Sequence, residues 1–307
     1  MFVVPIIQAL EAPRQPNFVR ECASTTEPVE RNVRLTIEQL REIILDYHQW
    51  RRGRNNRVRY FTSEKRMETY LNFLSSGGYY RQISFSCGIA TSTGFHHTHE
   101  VADFFMNIAH NFISLPTPDE YNDLSLQLED VDGQMKRVIL YIDGVIIRIQ
   151  RPDHAGDAYF CGRHGKSCDS INVQYVVDKF GMIRHVVTGV SGATHDKTAT
   201  EWSAPFMNFL DTLPPDVVVL GDPAYRNLHA SVKHSFTGNN LPVEQRLFNT
   251  RCRQLRQIVE RTIGATELKW RIDQLKENRY PAKAGVEFAS MCTIAACVLH
   301  NRFTNFL

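Results

Sequence analysis

The pattern of apolar and polar positions predicts a helical first half of the chain. Residues 36 to 47 place four apolar side chains on one helical face, behind Thr36, a residue type that favours helix N-termini. Three further helices are predicted at residues 65 to 75, 80 to 87 and 92 to about 110. Short helices joined by glycine-containing turns are typical of a helix-turn-helix, and equally of any compact three-helix unit.

The second half alternates apolar runs with helical patterns. Strands are predicted at residues 138 to 149, 171 to 178, 182 to 190 and 217 to 220. The segment Lys179-Phe180-Gly181 predicts a hairpin between the second and third of these strands. Helices are predicted at about residues 196 to 213, 244 to 270 and 286 to 303. Together these elements predict a mixed α/β domain.

Proline and polar segments set the predicted domain limits. Residues 1 to 33 contain four prolines and are predicted to form an extended or disordered arm. Residues 34 to 115 are predicted to be a helical, helix-turn-helix-like DNA-binding region. Residues 116 to 137 are predicted to be a polar linker, and residues 138 to 307 the mixed α/β domain.

Composition narrows the class of protein. The 307-residue chain is 43% hydrophobic and 22% charged, and it has no apolar stretch of the length that a membrane span needs. Its start lacks the charged and long apolar segments of a secretory signal. Its seven cysteines are scattered, without a Cys-x-x-Cys pair, which favours reduced thiols over a disulfide framework. We therefore expect an intracellular protein that is not associated with a membrane.

Three acidic residues of the second half suit a metal-dependent phosphoryl-transfer enzyme. Asp143 and Asp222 each follow an apolar run and precede turn-forming residues, so both are expected at the ends of buried strands. Glu260 lies in a segment with helical spacing. Two strand-end carboxylates and one helical carboxylate can converge on divalent cations, which prefer oxygen ligands.

Two basic segments are candidate nucleic-acid surfaces, although the net charge is only +2. The first contains Arg51, Arg52, Arg54, Arg57 and Arg59. The second surrounds Glu260 and includes Arg256. The small polar residues that begin the last helix of the helix-turn-helix-like unit are further DNA-binding candidates: Thr91, Ser92 and Thr93. A solvated surface is the alternative interpretation, and we favour it for the second segment taken alone.

Other candidate ligands carry less weight. The zinc-type residues His154, Cys161, His164 and Cys168 have a spacing that fits no common zinc module. The histidines of the last helix, His96, His97 and His99, are expected to contact solvent or the DNA backbone. Tyr225 is expected to be a packing residue. Asp196 has two equally supported roles, one in catalysis and one at a helix N-terminus, where its charge is favourable.

Ordered segments of the chain resemble the PIF/Harbinger family of DDE transposases and the Harbinger transposase-derived nucleases. The segments are VILYIDGVIIRIQRP (138 to 152), YFCGRHGKSCDSINVQYVVDKFG (159 to 181), SGATHDKT (191 to 198), LGDPAY (220 to 225) and IVERTIG (258 to 264). Residues 73 to 105 resemble the family's helix-turn-helix, and residues 297 to 301 its closing helix. The chain departs from the family pattern at Val145-Ile146-Ile147, Pro223-Ala224 and Ile263. The resemblance covers roughly residues 65 to 303, and all three carboxylates are kept.

The resemblance implies a fold, a site and an activity. The implied fold is an RNase H-like mixed sheet flanked by helices, preceded by a small all-α helix-turn-helix-like domain. Asp143, Asp222 and Glu260 would be the catalytic triad that binds Mg²⁺ or Mn²⁺, with Asp196 as a further acidic ligand. The implied activity is cleavage of DNA phosphodiester bonds by a two-metal mechanism, with strand transfer by a 3′ hydroxyl in a working transposase.

Partners and alternatives follow from the same resemblance. DNA is the implied substrate, a Myb-like DNA-binding protein is a candidate partner, and the expected location is the nucleus, with the cytoplasm as a second compartment. Self-association into a homo-oligomer is a further expectation. The alternative function is a domesticated DNA-binding or adaptor protein with a weak or silent nuclease site. A two-carboxylate glycosidase would explain neither the basic segments nor the helix-turn-helix-like unit.

Overall fold

The computed structural model describes residues 33–53, 61–77, 79–152, 157–162, 167–272 and 282–304. The predicted arm up to residue 32 lies outside the described residues, as do Arg54, Arg57 and Arg59 of the first basic segment and both His154 and His164. Among the helices that are described, none combines the length and the apolar character that crossing a membrane requires.

Four α-helices are described between residues 37 and 108, and they confirm the helical pattern of the first half. They are α1 (Ile37–Arg52), α2 (Ser63–Ser76), α3 (Tyr80–Cys87) and α4 (Thr91–Ile108). The side chains of Thr36 and Thr62 cap α1 and α2 by accepting hydrogen bonds from first-turn backbone N–H groups. Gly77 and Gly88 end α2 and α3 in the left-handed conformation that favours glycine.

Seven strands of the described part of the chain form one mixed sheet. They are β1 (Leu126–Glu129), β2 (Met135–Arg148), β3 (Phe160–Cys161), β4 (Cys168–Val177), β5 (Ile183–Ser191), β6 (Val217–Leu220) and β7 (Val232–Lys233). The long strand β2 pairs antiparallel with β1 and β4 and parallel with β6. Strands β3 and β5 pair antiparallel with β4, and β7 pairs parallel with β6. The long strand therefore connects the antiparallel and parallel parts of the sheet.

Helices cover both faces of this sheet. The remaining helices are α5 (Tyr121–Leu124), α6 (Asp196–Glu201), α7 (Ala204–Asp211), α8 (Val243–Trp270) and α9 (Ala282–Phe303). One core cluster joins Phe73 of α2, Phe105 of α4 and Val259 of α8 to Val218 of the sheet. A second cluster joins α7 to the alternate positions of β6. The predicted mixed α/β class and the flanking helices are confirmed, and the first helices share a core with α8 and the sheet.

Three predicted boundaries are wrong. The linker predicted for residues 116 to 137 contains β1, because Leu128 is buried between exposed neighbours and pairs with β2. The helix predicted from residue 196 to 213 is two helices, with a break before Pro205, which lacks the N–H of the helical ladder. Asp143 does not end its strand, because β2 continues to Arg148 through its pairing with β4.

Candidate active site

Two aspartates lie at the same level of neighbouring parallel strands. Strands β2 and β6 pair over residues 137 to 141 of β2, with Tyr141 beside Leu220. Two residues further along each chain, Asp143 and Asp222 therefore lie next to each other, just past the end of β6. The strand register thus places two of the three predicted carboxylates at one edge of the parallel pair, although Asp143 is inside its strand.

Helix α8 brings Glu260 and Arg256 to the same place. The Nη2 atom of Arg256 lies 2.9 Å from Asp143 Oδ2 and 3.6 Å from Glu260 Oε1. Arg256 precedes Glu260 by one helical turn, so one guanidinium bridges the strand carboxylate and the helix carboxylate. The structure therefore brings Asp143 and Glu260 together around an internal cation, with Asp222 beside Asp143. It places Arg256, a DNA-binding candidate, inside the acidic cluster.

The pKa of Asp143 is influenced by the charges of the other two carboxylates. Burial raises the pKa of Asp143 to about 6, although the positive charge of Arg256 and the Gly144 N–H lower it. The negative charges of Asp222 and Glu260 raise this pKa further. Arg256 alone therefore does not compensate for the burial and the mutual repulsion of the acidic cluster.

A buried network of side chains supports the aspartates. Asn172 and Gln174 of β4 each donate a side-chain N–H to Asp196 Oδ1, at 2.8 and 2.9 Å. The hydroxyl of Tyr225 donates to Gln174 Oε1. Because Tyr225 ends the short 3-10 turn that follows Asp222, the network ties this turn to β4 and to the start of α6.

Two glycines allow this network to pack closely. A Cβ atom at Gly144 would lie 2.6 Å from Gln174 Nε2 and 2.8 Å from Asp196 Oδ1. A Cβ atom at Gly221 would lie 2.8 Å from the ring of Tyr225. Any other residue at either position would force the network apart, because these distances are shorter than van der Waals contact.

The three carboxylates are the type of ligand that suits a divalent cation, although two of them are paired with Arg256. Carboxylate oxygens are the ligands that Mg²⁺ and Mn²⁺ prefer. Within the described ranges, no group of three His, Cys, Asp or Glu side chains is arranged to hold a metal ion as it stands. Asp196 lies beside the cluster, but its Oδ1 atom already accepts two hydrogen bonds. Residues Asp143, Asp222 and Glu260 therefore remain the first candidates for metal ligands.

Two residues of the network, Asn172 and Gln174, were not among the candidates predicted from the sequence, and Tyr225 was predicted only to pack. Asn172 and Gln174 alternate with buried apolar residues in β4, and both are fully buried. Two amides at alternate positions of an otherwise apolar strand signal a buried face that needs hydrogen-bond partners. Tyr225 is buried, as a packing residue would be, but its hydroxyl is also part of the network.

The DNA-binding candidates of the helical region differ in their surroundings. Thr91 and Ser92 are exposed at the start of α4, where Thr93 is half-buried, and Arg52 is exposed at the end of α1. Arg51 instead donates hydrogen bonds to Glu100, at 3.0 Å, and to a serine hydroxyl at the start of α2. The structure therefore leaves Arg52 open to a ligand and gives Arg51 a role in packing α1 against α2 and α4.

The expected exposure of the α4 histidines is wrong for His97. Its side chain is buried against Phe61 and Thr69. Burial, aided by the charges of neighbouring arginines, lowers the pKa of His97 to about 3. A helical face that packs on α2 can contain an uncharged histidine, and spacing alone does not distinguish it from an exposed one.

The fold and the site define a class of protein: an α/β protein with three carboxylates gathered where two parallel strands and a long helix meet. The chain matches the DDE superfamily endonuclease family over residues 142–301, slightly more than half of its length, and it belongs to that family. The matched segment contains Asp143, Asp222 and Glu260. No curated protein and no solved structure matches the chain.

Family membership confirms the broader part of the resemblance. The family consists of transposase-like nucleases that act on DNA, and its members use divalent metals. The narrower assignment to PIF/Harbinger stays a prediction.

Proposed function

We propose that this protein is a metal-dependent DNA endonuclease of the transposase type, in which Asp143, Asp222 and Glu260 are the catalytic residues. The register of β2 and β6 carries the proposal, because it places two carboxylates side by side at the point where α8 supplies the third. An RNase H-like arrangement of the sheet is part of the proposal. Strand transfer by a 3′ hydroxyl would use the same residues.

Mg²⁺ or Mn²⁺ is the proposed cofactor. A bound divalent cation would activate the nucleophile and offset the negative charge of the scissile phosphate. Three carboxylates of this chain would hold that cation: those of Asp143 and Asp222 from the sheet, and that of Glu260 from α8. The buried network keeps the Asp222 turn in place, and Asp196 is a secondary candidate ligand because one of its oxygens is already engaged.

The proposed DNA surface extends from the site along α8. Arg253 and Arg246 precede Glu260 by seven and fourteen residues, and seven residues make almost two helical turns, so all three share one face. Both arginines are exposed. A DNA strand along this face would bring its phosphates to Glu260, since phosphate contacts position a nucleic acid on a protein. The start of α4 and Arg52 are the proposed second contact.

The remaining expectations about partners are part of the same proposal. Binding of a Myb-like protein, self-association and a nuclear location stay predictions that rest on the resemblance. DNA binding by the part of the first basic segment beyond residue 53 also stays a prediction.

A cleavage assay with matched variants tests the proposal. Purified protein is expected to nick supercoiled DNA with Mg²⁺ or Mn²⁺, and Asp222→Ala is expected to reduce nicking to background while keeping the circular dichroism spectrum. Asp132→Ala removes an exposed carboxylate from the turn between β1 and β2 and should cut like the wild type. Equal nicking by wild type and Asp222→Ala would show that the site is wrongly assigned.

The second candidate function is a DNA-binding or adaptor protein with a silent nuclease site. The closed ion pair between Arg256 and Asp143 favours it, because this pair occupies an oxygen that a metal would need. Metal binding separates the two functions. Wild-type protein that binds DNA but no more Mn²⁺ than the triple alanine variant of Asp143, Asp222 and Glu260 would support the adaptor.

A further inference from the structure

Arg256 has a surrounding that differs from that of the other arginines of α8. Its guanidinium is mostly buried, with 16% of the side chain exposed, and it contacts two of the three carboxylates of the proposed site. Arg246, Arg253 and Arg261 of the same helix are exposed. Arg256 thus supplies a positive charge inside the acidic cluster before any metal is bound.

We propose that Arg256 is a displaceable counter-ion, which a divalent cation must move away from Asp143 in order to bind. This inference rests on the proposed function, since it concerns the same carboxylates. It assigns Arg256 a role as a competitor of the metal, which neither the family match nor the resemblance implies.

Competition for one oxygen atom is the first argument. Asp143 Oδ1 accepts a hydrogen bond from the Gly144 N–H at 3.0 Å, and Oδ2 accepts one from Arg256 at 2.9 Å. The same guanidinium nitrogen lies 3.6 Å from Glu260 Oε1, so Arg256 occupies the Asp143 oxygen on the side of Glu260. A cation that binds between these carboxylates needs the same oxygen.

Repulsion between cations is the second argument. A guanidinium and a divalent cation within a few ångströms of each other repel strongly in a partly buried site, where the effective dielectric constant is far below that of water. The two positive charges therefore cannot share Asp143. The Nε atom of Arg256 is buried without a hydrogen-bond partner among the described residues, so moving the side chain breaks no bond at that nitrogen.

Displacement gives Arg256 a new partner. Once moved, its guanidinium lies at the edge of a site that holds a cation and three carboxylates, and the phosphate of a DNA strand along α8 is the anion within its reach. Arginine binds phosphate well because its planar group donates two parallel hydrogen bonds. Metal binding would then favour DNA binding, and by reciprocity DNA binding would favour metal binding by the same factor.

Titration with Mn²⁺ in the absence of DNA tests the displacement directly. Calorimetry would compare wild type, Arg256→Gln and Arg251→Gln, which removes a charge from an exposed position of the same helix. Arg256→Gln is expected to bind Mn²⁺ about tenfold more tightly than wild type, the factor that about 1.4 kcal/mol produces. Arg251→Gln should bind like the wild type, and Arg256→Lys should lie between wild type and Arg256→Gln.

Melting temperatures show whether Arg256→Gln is folded and how much Mn²⁺ stabilises it. Without metal, Arg256→Gln should melt below the wild type, because the clustered carboxylates lose their counter-ion. Saturating Mn²⁺ should raise its melting temperature by more than that of the wild type.

The possible outcomes separate this inference from the proposed function. Equal or weaker Mn²⁺ binding by Arg256→Gln overturns the displacement but leaves the nuclease proposal to the Asp222→Ala assay. Binding by Arg256→Gln alone supports displacement, with Arg256 closing the wild-type site. Absence of Mn²⁺ binding in all of the variants and the wild type contradicts both proposals.

Discussion

The two halves of the acidic centre are held in different ways. On the strand side, the backbone register and the buried amides fix Asp143, Asp222 and Asp196, and only 21% of the Asp143 side chain is exposed. On the helix side, Glu260 extends from α8 with 54% of its side chain exposed. Its carboxylate forms an ion pair with Arg256, a long side chain with several rotatable bonds. The strand side is preorganised, and the helix side can adjust when a ligand binds.

Changes in side-chain length should show the largest difference between the fixed strand side and the adjustable helix side. Asp143→Glu adds one methylene group in an enclosed position between Arg256 and the backbone, and we expect nicking to fall to background. Glu260→Asp removes one methylene group from an exposed side chain, and we expect measurable nicking to remain. Nicking rates with Mn²⁺ check both variants, and a more active Asp143→Glu would reverse the assignment of fixed and adjustable halves.

Loss of one hydroxyl group should loosen the strand side. Tyr225→Phe removes the hydrogen bond to Gln174 and keeps the buried ring. We expect activity or Mn²⁺ affinity to fall by about 10 to 100-fold, the range for residues that orient metal ligands. Tyr159→Phe, at a half-buried tyrosine far from Asp222 in the sequence, is the matched control. Unchanged Mn²⁺ affinity in Tyr225→Phe would mean that the network is not needed for positioning.

Stability as a function of pH should reveal the buried carboxylate of the strand side. The folded pKa of Asp143, about 6, is above its ordinary value of 3.8, so its contribution to stability is present at low pH and is lost as pH rises through about 6. The loss is at most roughly 3 kcal/mol, since one pKa unit corresponds to about 1.4 kcal/mol.

Urea denaturation in EDTA between pH 4.5 and 7.5 would measure this loss. Asp143→Asn should lack it, whereas the exposed Asp132→Asn should behave like the wild type. If wild type and Asp143→Asn depend on pH in the same way, the burial of Asp143 has no such consequence.

Two glycine substitutions should give opposite and smaller effects. Gly144→Ala places a methyl group against Gln174 and Asp196 and should destabilise the protein by about 1 to 3 kcal/mol. Gly264, one turn after Glu260, has open space at the Cβ position within the described structure. Gly264→Ala should stabilise α8 by about 0.5 to 1 kcal/mol. Chemical denaturation checks both, and destabilisation by Gly264→Ala would contradict the open space.

Most of the secondary structure and the three carboxylates could be predicted from the sequence, because the signals are local. Apolar runs marked β2, β4 and β6, and glycine or threonine marked the helix limits. The Asp143 boundary was wrong because a glycine can stand inside a strand when a neighbouring side chain needs its space. The Arg256 bridge could not be predicted, since it joins residues 113 positions apart and depends on how α8 packs on the sheet.

The buried network and the helical region also depend on contacts between residues that are far apart in the sequence. Amide groups of β4 meet Tyr225 only after β2 and β6 are in register, so no local pattern contains that contact. Arg51 and Arg52 are adjacent and have identical chemistry in the sequence. Only the packing of α4, which carries Glu100, makes one of them a partner in an ion pair and leaves the other exposed.

The shared core of the first helices and the sheet has a consequence for where DNA would be cut. The ring of Phe73 in α2 packs against Phe288 in α9 at 5.6 Å, and Asn301 of α9 hydrogen-bonds to the backbone of Ile183 in β5. Helices that bound DNA from this position would stay at a fixed distance from the acidic site. The number of base pairs between the bound sequence and the nick would then be the same at every DNA target.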